Sequence, residues 1–118
     1  MSPLVGQYGA VNRAAINAAK SGTRDLIAAP GDGYQIAVLG MSLCGSAGDG
    51  TATFIDSTPT THTGVYSFDV DAQPFLTLPV VDSPHAWILC AENTKLQVTL
   101  SANLDLDGIV IYEIRATA

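Results

Sequence analysis

The sequence predicts an all-β chain folded as a single-domain antiparallel β-sandwich or jelly roll. Three observations carry that expectation. The stretch T-K-L-Q-V-T-L-S-A-N-L-D-L-D-G, Thr94 to Gly108, alternates polar and apolar residues, the two-residue rhythm of a strand with one buried face. Short apolar segments recur along the chain at about 8 to 12 residues, the spacing of sandwich and jelly-roll strands. Between them stand turn-forming runs such as P-G-D-G, S-T-P-T-T, D-A-Q-P, D-S-P-H and A-E-N-T.

The elements follow in order. Asn12 to Ala19 has the one helix-compatible composition, but it lies between Gly9 and Gly22 without good caps. It reads better as a strand, with Val11, Arg13 and Ala15 on one face and Asn12, Ala14 and Ile16 on the other. Asp25 to Ala28 is a short strand stopped by Pro30 to Gly33. Tyr34 to Cys44 is apolar on both parities, as a central strand should be, and Gly40 inside it marks a bulge or tight bend. G-S-A-G-D-G, Gly45 to Gly50, is glycine-rich enough to suggest a phosphate loop. No Lys-Ser/Thr pair or helical pattern follows, so it reads as a hairpin loop. Thr51 to Asp56, Gly64 to Val70, Pro74 to Val80 and Ala86 to Ala91 are further strands, and two more close the chain.

Composition narrows function by exclusion. The chain has 118 residues, enough for one core, with residues 1–11 as an N-terminal arm and 12–118 as the β domain. Its net charge is −6 and its five Lys and Arg are scattered, which argues against nucleic acid and anionic membrane as partners. Only 14% of residues are charged against 47% hydrophobic, a balance that suits surfaces covered by partners. The start M-S-P-L-V-G-Q-Y-G lacks the basic and apolar regions of a secretory signal, so cytosolic synthesis is the expectation. Cys44 and Cys90 sit among apolar neighbours and read as buried free thiols. No zinc spacing links them to His62 and His85.

Candidate chemistry is sparse. Asp105 and Asp107 lie on the polar parity of the closing segment, roughly 6.5 to 7 Å apart if extended. A glycosidase pair or calcium site would need further ligands, and the downstream Glu and the other Asp or Asn of a calcium loop are missing. The two aspartates are therefore expected to face solvent. His62 and His85 fall in loops with no nucleophile elbow or Cys-His signature, and Trp87 reads as packing at a core edge. The expectation is a protein that is not an enzyme and that uses no cofactor and no metal.

Two blocks carry a family resemblance. A-A-I-N-A-A-K-S-G-T-R-D-L-I-A-A-P-G-D-G-Y-Q-I-A-V-L-G-M-S-L, Ala14 to Leu43, resembles the opening of small tailed-phage proteins. L-Q-V-T-L-S-A-N-L-D-L-D-G-I-V-I-Y-E-I, Leu96 to Ile114, is similar to their closing strand pair. The family is that of phage head decoration, or cement, proteins. The resemblance implies a TNF-like jelly-roll homotrimer on the capsid exterior, assembled in the host cytoplasm, with the major capsid protein as partner. P-G-D-G-Y-Q stands where relatives carry basic residues after a Gly, and the arm is an extension. Pro3, Leu4, Val5 and Tyr8 of that arm are the candidate capsid-binding residues. An alternative is a receptor- or carbohydrate-binding head or tail appendage, with Trp87, Tyr66 and His62 as its recognition surface.

Overall fold

The computed structural model describes residues 11–117 apart from Lys20, Gln73 and Ala102. Among the described residues the fold is all-β. Its strands are β1 (Asn12–Ala19), β2 (Gly22–Ile27), β3 (Tyr34–Ala47), β4 (Gly50–Asp56), β5 (Tyr66–Phe68), β6 (Phe75–Leu78), β7 (Ile88–Leu89), β8 (Leu96–Leu100) and β9 (Asp105–Ala116). They form two antiparallel sheets. The first has the order β1-β9-β3-β6, with β7 also paired to β3, and the second the order β2-β8-β4-β5.

Side-chain alternation builds the space between the sheets. Ile16, Ala18, Ile36, Val38, Met41, Leu43, Leu106 and Val110 point inward from the first sheet, and Ala52, Phe54, Phe68, Leu96, Val98 and Leu100 from the second. Phe54 and Leu106 are completely buried, and truncating either to Ala would cost about 2–5 kcal/mol through lost transfer energy and the void left behind. The parity read from Leu96 to Leu106 is the observed one, because a strand has only two faces and every apolar member needs the same one.

The strand reading of Asn12 to Ala19 also holds. All eight residues pair with β9, from Asn12 opposite Tyr112 to Ala19 opposite Asp105. Tertiary pairing overrides the helical leaning of alanine there. The bulge expected at Gly40 lies between Val38 and Gly40. A Cβ at Gly40 would come 2.9 Å from the Leu78 carbonyl and 3.0 Å from the Val80 Cα, so only glycine lets that segment lie against β3. Gly108 is a second such point. Its φ is +153° and a Cβ would sit 2.0 Å from the Ser42 carbonyl oxygen of the facing strand.

One expectation is corrected. Gly45 to Gly50 is not a hairpin loop: β3 belongs to the first sheet and β4 to the second, so this segment carries the chain from one sheet to the other. The closing segments behave the same way, β8 lying in the second sheet and β9 in the first. A hairpin and a sheet-crossing corner use the same small residues, and only the pairing partners tell them apart. The strands at Gly64 to Val70 and Ala86 to Ala91 are shorter than expected, reduced to Tyr66–Phe68 and Ile88–Leu89.

Candidate functional site

The outward side chains of the first sheet form rows across the strands. The central row is Ala15, Ile109, Ser42 and Thr77, fixed by the pairings Ala15–Ile109, Ser42–Ile109 and Ser42–Thr77. On one side of it lies Arg13, Ile111 and Gly40; on the other lies Asn17, Asp107, Cys44 and Phe75. Most of these side chains are small or apolar, and Ile109 and Phe75 are 40% and 68% exposed. Arg13 and Asp107 are the charges of the two flanking rows, and neither is paired with another described residue.

Beyond the Gly40 row, the segment between β6 and β7 rides over the same face. Val80 rests on Gly40, Val81 N donates to Leu39 O at 3.0 Å, and Trp87 N donates to Val38 O at 2.8 Å. Beneath this segment are Glu113 and Arg115, outward residues of β9 that are only 2% and 9% exposed. Arg115 Nε donates to Glu113 Oε1 at 2.6 Å, and Ser83 Oγ donates to the same oxygen at 2.5 Å. The rest of the guanidinium donates to the backbone, Nη1 to Pro84 O at 2.8 Å and Nη2 to His85 O at 3.1 Å. A buried ion pair is tolerable only when its remaining hydrogen-bonding capacity is filled, and here the pair is filled by the segment it holds down. The first sheet's outer side is thus half ridge, at the Arg115 end, and, among the described residues, uncovered at the Asp107 end, a hollow only relative to the ridge beside it.

The ridge carries apolar groups outward. Trp87 donates its indole N–H to Pro79 O at 2.7 Å, which leaves the ring fixed and 44% exposed. Val80 and Leu89 are exposed beside it. Of nine large apolar side chains exposed among the described residues, Phe75, Val80, Trp87, Leu89 and Ile109 stand on this one side. Exposed apolar groups gathered on one side, unlike scattered ones, mark a surface for contact.

A second polar cluster lies at the end of β4. The Asp56 side chain is fully buried and accepts hydrogen bonds from Thr58 N and Oγ1, Thr60 N, Ala91 N and His62 Nε2, the last at 2.7 Å. Burial by itself would raise its pKa, but the hydrogen bonds from Thr58, His62 and Ala91 outweigh that and hold the carboxyl far below its ordinary value. Burial, with the Asp56 charge nearby, pushes the Cys90 thiol up to about 12. That combination does not make a nucleophile, since the reactive species is the thiolate. Asp56 fastens the segment after β4 and, through Ala91, ties it to the end of β7.

The sequence candidates fall as follows. Asp105 and Asp107 are half-buried on the outer face of β9, next to Ala19, Ala47, Asn17 and Cys44, and no third ligand among the described residues joins them. Among the described residues no three His, Cys, Asp or Glu side chains converge in a way that could hold an ion. Trp87 is anchored on the first sheet. Tyr66 packs on Phe54 in the second sheet, ring centroids 6.2 Å apart, and His62 is bound to Asp56 there. Tyr66 and His62 are therefore neighbours along β4, while Trp87 belongs to the other sheet. Pro3, Leu4, Val5 and Tyr8 lie outside the described residues.

Two features escaped sequence reading. Asp56 followed two residues later by Thr58 has the form of an Asx turn, a signal that was available. Glu113 and Arg115, two apart on one strand face, offered only the hint that opposite charges share a side. Comparison with protein-family models, with curated proteins and with solved structures gives no match.

Proposed function

We propose that the protein is a structural assembly module, a jelly-roll decoration protein that attaches to the outer surface of a phage capsid in several copies and reinforces the head. The strand order supports the jelly-roll assignment: β1-β9-β3-β6 faces β2-β8-β4-β5, and most successive strands alternate between the sheets. The observation that carries the assembly reading is the gathering of exposed apolar side chains on the outer side of the first sheet. The capsid as target rests on the likeness of Ala14 to Leu43 and Leu96 to Ile114 to decoration proteins. The buried ionisable groups support a non-catalytic role, because Asp56 and Arg115 are spent on holding backbone and Glu113 on holding the Arg115 and Ser83 side chains.

Co-sedimentation with purified phage capsids tests the proposal. The intact chain should pellet with capsids, and deletion of residues 1–10 should leave a folded protein that stays in the supernatant. A folded intact chain that ignores capsids at every concentration would sink it. The sugar-binding alternative predicts that Trp87→Ala abolishes glycan binding; with Tyr66 and His62 committed to the second sheet, Trp87 would have to act without them.

A further inference from the structure

From the relief and charges of the first sheet's outer side, we infer that this side packs face to face on the same side of a second copy. The two-fold axis would run along the row Ala15–Ile109–Ser42–Thr77, and Arg13 of each copy would meet Asp107 of the other. This goes beyond the capsid-binding reading and needs only the outer face of the first sheet.

Shape gives the first reason. The ridge stands on the Gly40 side of the central row and the hollow on the Cys44 side. A half-turn about that row leaves each strand over its own counterpart and exchanges the two ends. The ridge of one copy, with Val80 and Trp87, then lies over the hollow of the other, with Cys44 and Phe75. Both fits are made at once, as an isologous contact requires.

Charge gives the second. Arg13 is one row above the axis and Asp107 one row below, on adjacent strands, since Ala15 opposes Ile109 in the central row. The half-turn brings them to the same level, displaced by one strand spacing of about 4.8 Å, within reach of an arginine. Neither is paired with another described residue, so the contact gives each of the two groups a partner without breaking any bond described in the fold. The second sheet offers no equivalent. Its outward Thr23 is bonded to Thr99, and Asp25 to Gln97 and Lys95.

Area gives the third. The axis row at Ile109 lies four residues from the Asp105 end of β9, so the two copies overlap over about 27 Å along the strands and about 15–20 Å across them. That is roughly 400–550 Å² per copy, the size of a weak, concentration-dependent pair.

The test is the solution mass of the intact chain, with no capsid present, up to about 100 μM. Twice the 12.2 kDa chain mass is expected. Arg13→Asp and Asp107→Arg should each weaken self-association about tenfold, and the double exchange should restore it, because the pair is then reversed but still complementary. A thiol reagent should label Cys44 more slowly as protein concentration rises. A single-chain mass would overturn the inference, as would a three-chain mass, the copy number that the decoration-protein resemblance implies. So would a double exchange no better than its single variants. Because capsid binding is measured separately, a monomer that pellets with capsids refutes the pair and leaves the decoration reading standing.

Discussion

The two outer faces of this molecule are made by the same alternation and serve opposite ends. On the second sheet the outward rows are Thr23–Thr99–Thr53 and Asp25–Gln97–Ile55, and the polar groups bond one another: Thr23 Oγ1 and Thr99 Oγ1 are 3.0 Å apart, and Gln97 Nε2 donates to Asp25 Oδ1 at 2.7 Å. That face suits water. On the first sheet the outward rows hold Ala, Ile, Ser and Phe, and the charged pair Glu113 and Arg115 is buried under the chain's own ridge. A sandwich needs only its inner faces apolar, so the apolar outer face is the one that the proposed assembly would use.

The sharpest way to break the contrast is to remove the ridge's anchor. Glu113→Ala strands a buried guanidinium and should cost about 3–5 kcal/mol in denaturant unfolding. A cost under about 1 kcal/mol would mean that the ridge stands without its ion pair.

Next comes Asp56, the anchor associated with the second sheet. Asp56→Ala leaves the part-buried N–H groups of Thr58, Thr60 and Ala91 without their acceptor and should cost about 2 kcal/mol. Its depressed carboxyl also makes stability depend on pH. The contribution is complete above the ordinary value of 3.8 and declines as pH falls below it, because the unfolded chain takes up the proton first. Acid titration should therefore weaken the intact protein more steeply than Asp56→Asn; parallel profiles would refute this account.

A smaller effect compares the faces directly. Ile109→Asp and Thr53→Asp each replace a strand-favouring outward residue by a poor one and should cost about 1 kcal/mol of stability. Only Ile109→Asp should abolish self-association measured by sedimentation; equal behaviour of the two variants would erase the distinction between the faces. The smallest effect belongs to the exposed pair of Lys95 and Asp25, whose nitrogen and oxygen are 3.0 Å apart. Lys95→Ala should leave the denaturant midpoint unchanged within error, because surface ion pairs gain little against solvent screening.

Much of this arrangement was legible in the residues. Leu96, Val98, Leu100, Leu104 and Leu106 announce their buried face because a period of two leaves no other choice. Gly40 announced its bulge for an equally local reason. The sheet to which each strand belongs was not legible, since G-S-A-G-D-G serves a hairpin and a crossing alike and its partners are far away in sequence. The same distance hid the ridge. Ser83 lies 30 residues from Glu113, and nothing local in D-S-P-H says that its hydroxyl will seal a carboxylate there. The candidate face was half visible: low charge content suggested covered surface, but only the strand order reveals which outward residues stand side by side.

The ladder between β1 and β9 has a kinetic consequence. β1 opens the domain and β9 closes it, and β9 also lies between β1 and β3. Until β9 has been made, β1 has no neighbour in its sheet among the described strands, and β3 lacks one of its partners. The first sheet therefore waits for β9 to emerge, and until then the chain exposes strand edges that chaperones would have to shield. Joining the domain's ends with a short linker and reopening it between β4 and β5 would supply β9 early, and should speed folding without altering the finished sheets.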